Sequence, residues 1–200
     1  MEREDIVKII TRCAKLYDEK LRGREFVVFF KNKENKLEHI RVHFTRSHYR
    51  HLTGVSIAGA KAKDFFYRCL NGRVKTSEIL VSKDGSHVLK LQVLQRAIEQ
   101  FEKARMIGFH DESRIYLQTE QLVGNVSWCL GFIHEVASSK LMSPNTLLQD
   151  DIRQCVIYPV CTITSIFRKD AKGGYTMTCN WHPEFIDEAA EVIALLESKK

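Results

Sequence analysis

The feature that most restricts this chain is a pair of extended segments near its start. Glu25 to Lys31, EFVVFFK, is dense in β-branched and aromatic residues; a polar turn follows over Asn32 to Lys36; then Leu37 to Phe44, LEHIRVHF, alternates. Alternation with period two sends Ile40, Val42 and Phe44 to one face and His39, Arg41 and His43 to the other. The two segments predict an antiparallel hairpin whose second strand has a core face and a wet face. The same chemistry runs on into a short helix, TRSHYRHLTG, in which Thr45 is placed as N-cap and Gly54 as the C-terminal stop. Tyr49 and Leu52 fall three apart on that helix, as do His48 and His51. Residues 37–54 thus hold four of the chain's eight histidines, at 39, 43, 48 and 51, and three arginines, Arg41, Arg46 and Arg50.

Guanidinium groups pair with phosphate oxygens, and imidazole gives or takes a proton near neutral pH, so this stretch suits chemistry on a phosphate. Each residue taken singly has a plainer reading. A histidine beside a helix-terminal glycine often only caps the last carbonyls, and charges on an exposed strand face are usually just solvated. The charge distribution favours the first reading. The net charge is +6, but residues 1–110 carry 23 Lys+Arg against 13 Asp+Glu, or +10, while residues 111–200 carry 8 against 12, or −4. The histidine cluster sits in the basic half, which points to an anionic partner such as nucleic acid. His43, His48 and His51 could offer three nitrogens to a metal, yet the neighbouring arginines would repel the cation, and no cofactor is expected.

The 200 residues, 44% hydrophobic, fit one domain with a sizeable core. Its parts are an N-terminal helix over residues 1–24, a core over 25–182 and a C-terminal helix over 183–200. Six scattered cysteines with no C-x-x-C pair read as small buried hydrophobes in a reducing compartment. The start, MEREDIVKIITRC, is acidic and amphipathic where a leader would be basic and then apolar, and no run reaches membrane-spanning length. The expectation is a cytoplasmic protein with no membrane partner.

Ile6, Ile9, Ile10, Cys13, Leu16 and Tyr17 predict a helix from Arg3 to about Arg22, ended by Gly23. A second helix is expected over Ala60 to Leu70. A third runs from about Ser86 to Met106, burying Leu89, Val93, Ile98 and Phe101 and closed by Gly108. From residue 115 the texture changes to short β-branched and aromatic segments, which predict an antiparallel sheet, with one helical turn inserted over Pro144 to Gln149. In the late segment Val160 to Arg168, Thr162, Thr164 and Arg168 alternate onto a face that could line a groove. Threonine is also simply a good strand former. Phe185, Ile186, Ala189, Val192, Ile193 and Leu196 form the stripe of a helix from Pro183 to about Ser198. The fold class is α+β, with a helical N-terminal part packed on a twisted antiparallel sheet and a C-terminal helix. No Gly-rich phosphate loop, G-x-S-x-G elbow, H-E-x-x-H pair or EF-hand loop is present.

The run His43-Phe44 through Tyr49-x-His51-Leu52-Thr53-Gly54, with CLGF at Cys129 to Phe132, SPNTLLQDDIR at Ser143 to Arg153 and TSIFRKD at Thr164 to Asp170, resembles the fourth family of phage-associated Barnase/EndoU/colicin/RelE-like nuclease domains. The resemblance covers roughly residues 25–182. It implies helices packed on a twisted antiparallel sheet, metal-free cleavage of RNA, and carriage by phages, mobile elements and toxin systems of bacteria. It carries His51 over as the leading functional position, with Arg168 and Thr164 as weaker matches.

Together these readings predict an endoribonuclease with His51 or His43 as general base or acid and Arg41, Arg46 and Arg168 stabilising transition-state charge. His48 and Arg50 complete the substrate-binding set, and a cognate inhibitor protein is a further expected partner. The alternative is a non-catalytic RNA- or protein-binding module on the same fold. A third reading is a structural accessory protein whose histidines are only surface residues.

Overall fold

The computed structural model describes residues 1–113, 117–135, 141–171 and 173–198. Helix α1 (Arg3–Lys20) leads through Gly23, left-handed at φ 73°, into the expected hairpin, β1 (Glu25–Lys31) and β2 (Leu37–His43). The short helix α2 (His48–Thr53) follows, then β3 (Val55–Ile57), α3 (Ala62–Leu70), β4 (Ile79–Val81) and α4 (Ser86–Gln100). The remaining strands are β5 (Met106–Phe109), β6 (Gln121–Gly124), β7 (Cys129–His134), β8 (Leu141–Leu148), β9 (Cys161–Lys169) and β10 (Tyr175–Asn180), and α5 (Ile186–Ser198) comes last. The class is α+β.

The main sheet has the order β1-β2-β8-β7-β6-β5-β9-β10, and β1 also pairs with β9, so seven strands close into a ring with β10 on the flank of β9. All pairings are antiparallel except β2 with β8. Strands β3 and β4 form a separate two-stranded ribbon. The early hairpin is therefore not an appendage to the late sheet, because β1 lies between β2 and β9.

Phe26 to Phe30 are all buried, since β1 is covered on both faces. Phe26, Val28, Ile40 and Val42 enter the main core with Ile6, Ile10 and Tyr17 of α1 and Leu94 and Ile98 of α4. Val27, Phe29 and Phe167 face Ala189 and Ile193 of α5. Phe44 ends β2 at the centre of an aromatic cluster, with ring centroids 5.7 Å from Phe26, 5.0 Å from Phe101 and 6.1 Å from both Phe132 and Tyr17.

Four expectations need correction. Helix α4 stops at Gln100 and a 3₁₀ turn covers Phe101–Lys103, because MIGF pairs with β6 as a strand; Gly108 lies in β5, where a Cβ would meet Val156 at 2.9 Å. Val93, Ile98 and Phe101 are buried as expected, together with His87, Leu91, Leu94 and Ala97, but Leu89 faces solvent, 54% exposed. Pro144 lies inside β8, and the helical turn falls at Ile152–Gln154 instead. In β9 the pairing with β1 shifts between Phe29 and Phe30, so Ser165 opposes Phe29 while Ile163 opposes Phe30. That bulge at Thr164 breaks the simple alternation. The strand expected from residue 115 falls partly outside the described residues.

Phe44→Ala should lower unfolding free energy by about 3–5 kcal/mol in urea titration, whereas Leu89→Ala should stay within about 0.5 kcal/mol.

Candidate active site

The H-L-T-G run is explained residue by residue. Leu52 is buried beside Tyr49, whose hydroxyl donates to the Ile10 carbonyl of α1 at 2.6 Å. Thr53 is buried, and its Oγ1 donates to the Arg50 carbonyl at 2.9 Å while accepting from the Val55 amide at 3.1 Å. One hydroxyl thereby satisfies two groups that the helix end would leave orphaned. Gly54 is left-handed at φ 65°, and a Cβ there would meet Lys90 Cδ at 3.1 Å and His87 Cα at 3.2 Å. Without that Cβ, α4 approaches α2 closely enough for Lys90 Nζ to donate to the His51 carbonyl at 3.1 Å. Leu52 and Thr53 are committed to packing, which leaves His51 exposed and Arg50 half-buried.

These two side chains line an open cleft of about 460 Å³ with Lys90, Ser82 and Ser86 near the start of α4, residues of both strands of the β3–β4 ribbon, and Asn145 of β8. Desolvation by the cleft walls, then the positive charges of Arg50, His48 and Lys90, lower the His51 pKa from its ordinary 6.5. The lowered pKa favours the neutral ring, the form able to accept a proton. Desolvation also lowers the Lys90 pKa, against the opposing charge of Asp84.

His48 is buried, and both of its ring nitrogens are engaged. Nδ1 accepts from the Thr45 amide at 3.1 Å, which makes Nε2 the protonated nitrogen, and Nε2 donates to Glu135 Oε1 at 2.9 Å. Glu135 in turn bonds Ser143 of β8. His48 therefore ties the start of α2 to the β7–β8 pair, and both ring nitrogens expected to meet substrate are engaged within the fold. Thr45 acts in this turn through its backbone, while Ser47 occupies the N-cap without a side-chain cap bond. His43, at the end of β2, acts electrostatically on both His48 and Glu135. His43 is thus an electrostatic neighbour of His48, and His48 of His51, but of the three only His51 lines the cleft.

The other expected residues lie apart from it. Arg41 Nε bonds Glu25 Oε1 at 2.7 Å, and the same oxygen accepts from the Tyr175 hydroxyl at 2.5 Å. Burial raises the Glu25 pKa, but the bonds from Arg41 and Tyr175 outweigh it and the net shift is downward. Arg46 is exposed and stacks 4.8 Å above the Tyr67 ring of α3. Arg168 is held by Glu102 at 2.9 Å and Asp170 at 3.5 Å. Glu102 follows the C-terminal end of α4 and Lys90 lies near its start, so Arg168 and His51 are on the order of 15 Å apart along that helix. Arg168 also opposes Phe26 on β1 whereas His43 opposes Glu25, which puts Arg168 and His43 on opposite faces of the sheet. Thr164 is fully buried and lines no groove. The shared His51–Arg168–Thr164 site is not formed.

Lys90, Glu135 and Asn145 were not singled out from sequence. Glu135 lies 87 residues from His48 and carries no local signal. Lys90 was within reach: reading α4 on its His87-Leu91-Leu94 stripe sets Lys90 on the flank of the core face. Among the described residues no three His, Cys, Asp or Glu side chains gather as a metal-ligand set, and no helix is long and apolar enough to cross a membrane.

A basic, imidazole-bearing cleft on an α+β fold defines a domain equipped to handle an anionic substrate. The chain belongs to the family described as phage-Barnase-EndoU-ColicinE5/D-RelE like nuclease 4, whose model matches residues 9–173. It is accordingly a nuclease domain, with nucleic acid as its class of substrate. The match runs from α1 through β9 and leaves β10 and α5 outside. No curated protein and no solved structure matches the chain.

Burial lowers the His48 pKa from 6.5 despite Glu135. The unfolded chain therefore binds this proton more readily, and His48 should subtract stability as pH falls below about 6.5. His48→Gln should flatten the slope of unfolding free energy between about pH 6.5 and 5 measured by urea titration, with His51 supplying part of the residual slope. The depressed Glu135 carboxylate acts only lower, near and below its ordinary 4.5.

Proposed function

We propose that this nuclease domain is a metal-independent endoribonuclease of a phage, mobile-element or toxin system, working in the bacterial cytoplasm with His51 as its proton-transfer group. The observation that carries the reading is a solvent-accessible imidazole held in an open cleft beside two cations, with its pKa lowered by desolvation and by those charges. Arg50 and Lys90 favour a phosphate there and oppose a metal ion.

In this scheme the 2′-hydroxyl of RNA attacks the adjacent phosphorus and His51 takes its proton. The P–O5′ bond breaks, leaving a 2′,3′-cyclic phosphate. Arg50 stabilises the extra negative charge on the phosphate oxygens as it develops. His43 is the second proton-transfer group of this reading, acting on the departing 5′-oxygen. Arg41 and Arg168 are structural ion-pair partners in this reading, Arg46 is a peripheral contact, and an inhibitor protein would act by covering the cleft.

Purified protein incubated with total RNA in EDTA should yield fragments ending in 2′,3′-cyclic phosphate. Intact RNA with retained, salt-sensitive binding would instead identify a binding module. His51→Ala should lose on the order of 10²-fold or more in cleavage rate with RNA affinity and melting temperature nearly unchanged. Full activity in the folded variant would remove His51 from the centre. Because the His51 pKa is lowered, cleavage should hold from neutral pH down to about 6.5 and fall as the ring protonates below it.

A further inference from the structure

The β3–β4 ribbon exposes a large apolar side chain at Leu80. Its register pairs Val55 with Val81, Ser56 with Leu80 and Ile57 with Ile79. Val55, Ile57 and Ile79 are buried in the main core. Ser56 and Leu80, one residue out of phase, therefore point away from it. Leu80 is 52% exposed and Val81 40%. A lone exposed leucine is ordinary. Here both side chains line the same cleft as His51, Arg50 and Lys90.

The cleft is thus two-sided, with an apolar wall on the ribbon and a cationic wall on α2 and α4. Its volume of about 460 Å³ lies in the range of small-ligand sites. The Lys90 ammonium uses one donor on the His51 carbonyl and keeps two more. Asp84 is the carboxylate whose charge acts on it, and among the described residues no carboxylate stands within ion-pair distance. A nucleotide has matching sides, an anionic phosphate and a base with apolar faces.

We propose that this cleft is a single-nucleotide subsite for a single RNA strand, in which Lys90 and Arg50 hold the phosphate at His51 and Leu80 packs against the adjoining base. The assignment rests on the nuclease reading only in making that phosphate the scissile one. Leu80 then sets base preference next to the cut, and Lys90 sets affinity.

The test is fluorescence anisotropy with short single-stranded oligonucleotides differing in one base and made non-cleavable by 2′-deoxy substitution at that position, together with cleavage maps on ordinary RNA. Lys90→Gln should weaken binding about tenfold and reduce the slope of log affinity against log salt by about one, while Lys63→Gln on the exposed face of α3 leaves both in place. Lys90→Arg should restore most of the loss, which separates the charge from the contact with α2. Leu80→Ser should weaken binding roughly five- to tenfold, unequally among the four bases, with an unchanged melting temperature because Leu80 is already exposed. If the parent protein binds and cuts RNA while both variants keep its affinity and cleavage pattern, the subsite is overturned and the nuclease reading stands. If the variants lose affinity but the parent never cuts, the subsite stands and the nuclease reading falls. A parent protein that binds no single-stranded RNA overturns both.

Discussion

The constraint on which the rest of the structure depends is the double pairing of β1. Its residues oppose β2 on one edge and β9 on the other, and alternate side chains enter two different cores. A strand with both edges paired and both faces covered must be apolar throughout, which is why EFVVFFK does not alternate while its partner β2 does. The same pairing decides which polar residues meet. His43 and Lys169 oppose Glu25, so they share a face with Arg41 and Tyr175. Arg168 opposes Phe26 and is carried to the other side, where Glu102 takes it.

Helix α2 works as a small positioning wedge. Tyr49 and Leu52 plug it into the aromatic and aliphatic core, His48 ties its start to Glu135, and Thr53 with Gly54 closes its end against α4. The residues left over, Arg50 and His51, face the cleft because every other position is spoken for. Here the plain reading of a histidine near a helix end and the functional one divide between two residues. His48 is the packing histidine and His51 the accessible one.

The electrostatics repeat this division. Four arginines of the first half are paired with carboxylates, Arg22 with Asp18, Arg24 with Asp170, Arg41 with Glu25 and Arg68 with Glu78, and Arg168 of the second half is paired with Glu102. Arg50 and Lys90 meet no such carboxylate among the described residues. Arg50 and Lys90 therefore keep their charge available to an anion beside His51, the exposed imidazole of α2.

What the sequence by itself determined is what depends on near neighbours. The hairpin, α1, the short histidine helix and its stop at Gly54, and the stripe of α5 follow from periods of two or 3.6 and from one residue that tolerates a positive φ. On α4 the expected Val93 and Ile98 are buried and Leu89 is not, because Leu89 and Leu91 are equally apolar and only the packed partner distinguishes them. Alternation failed on β9, because a bulge is set by the opposing strand and not by the strand's own residues. The site was decided by tertiary structure for the same reason. Glu135 reaches His48 across 87 residues, Glu102 takes Arg168 across 66 and Lys90 meets His51 across 39. Each is an interaction between groups whose separation depends on strand register and helix packing, and neither quantity is written in local composition.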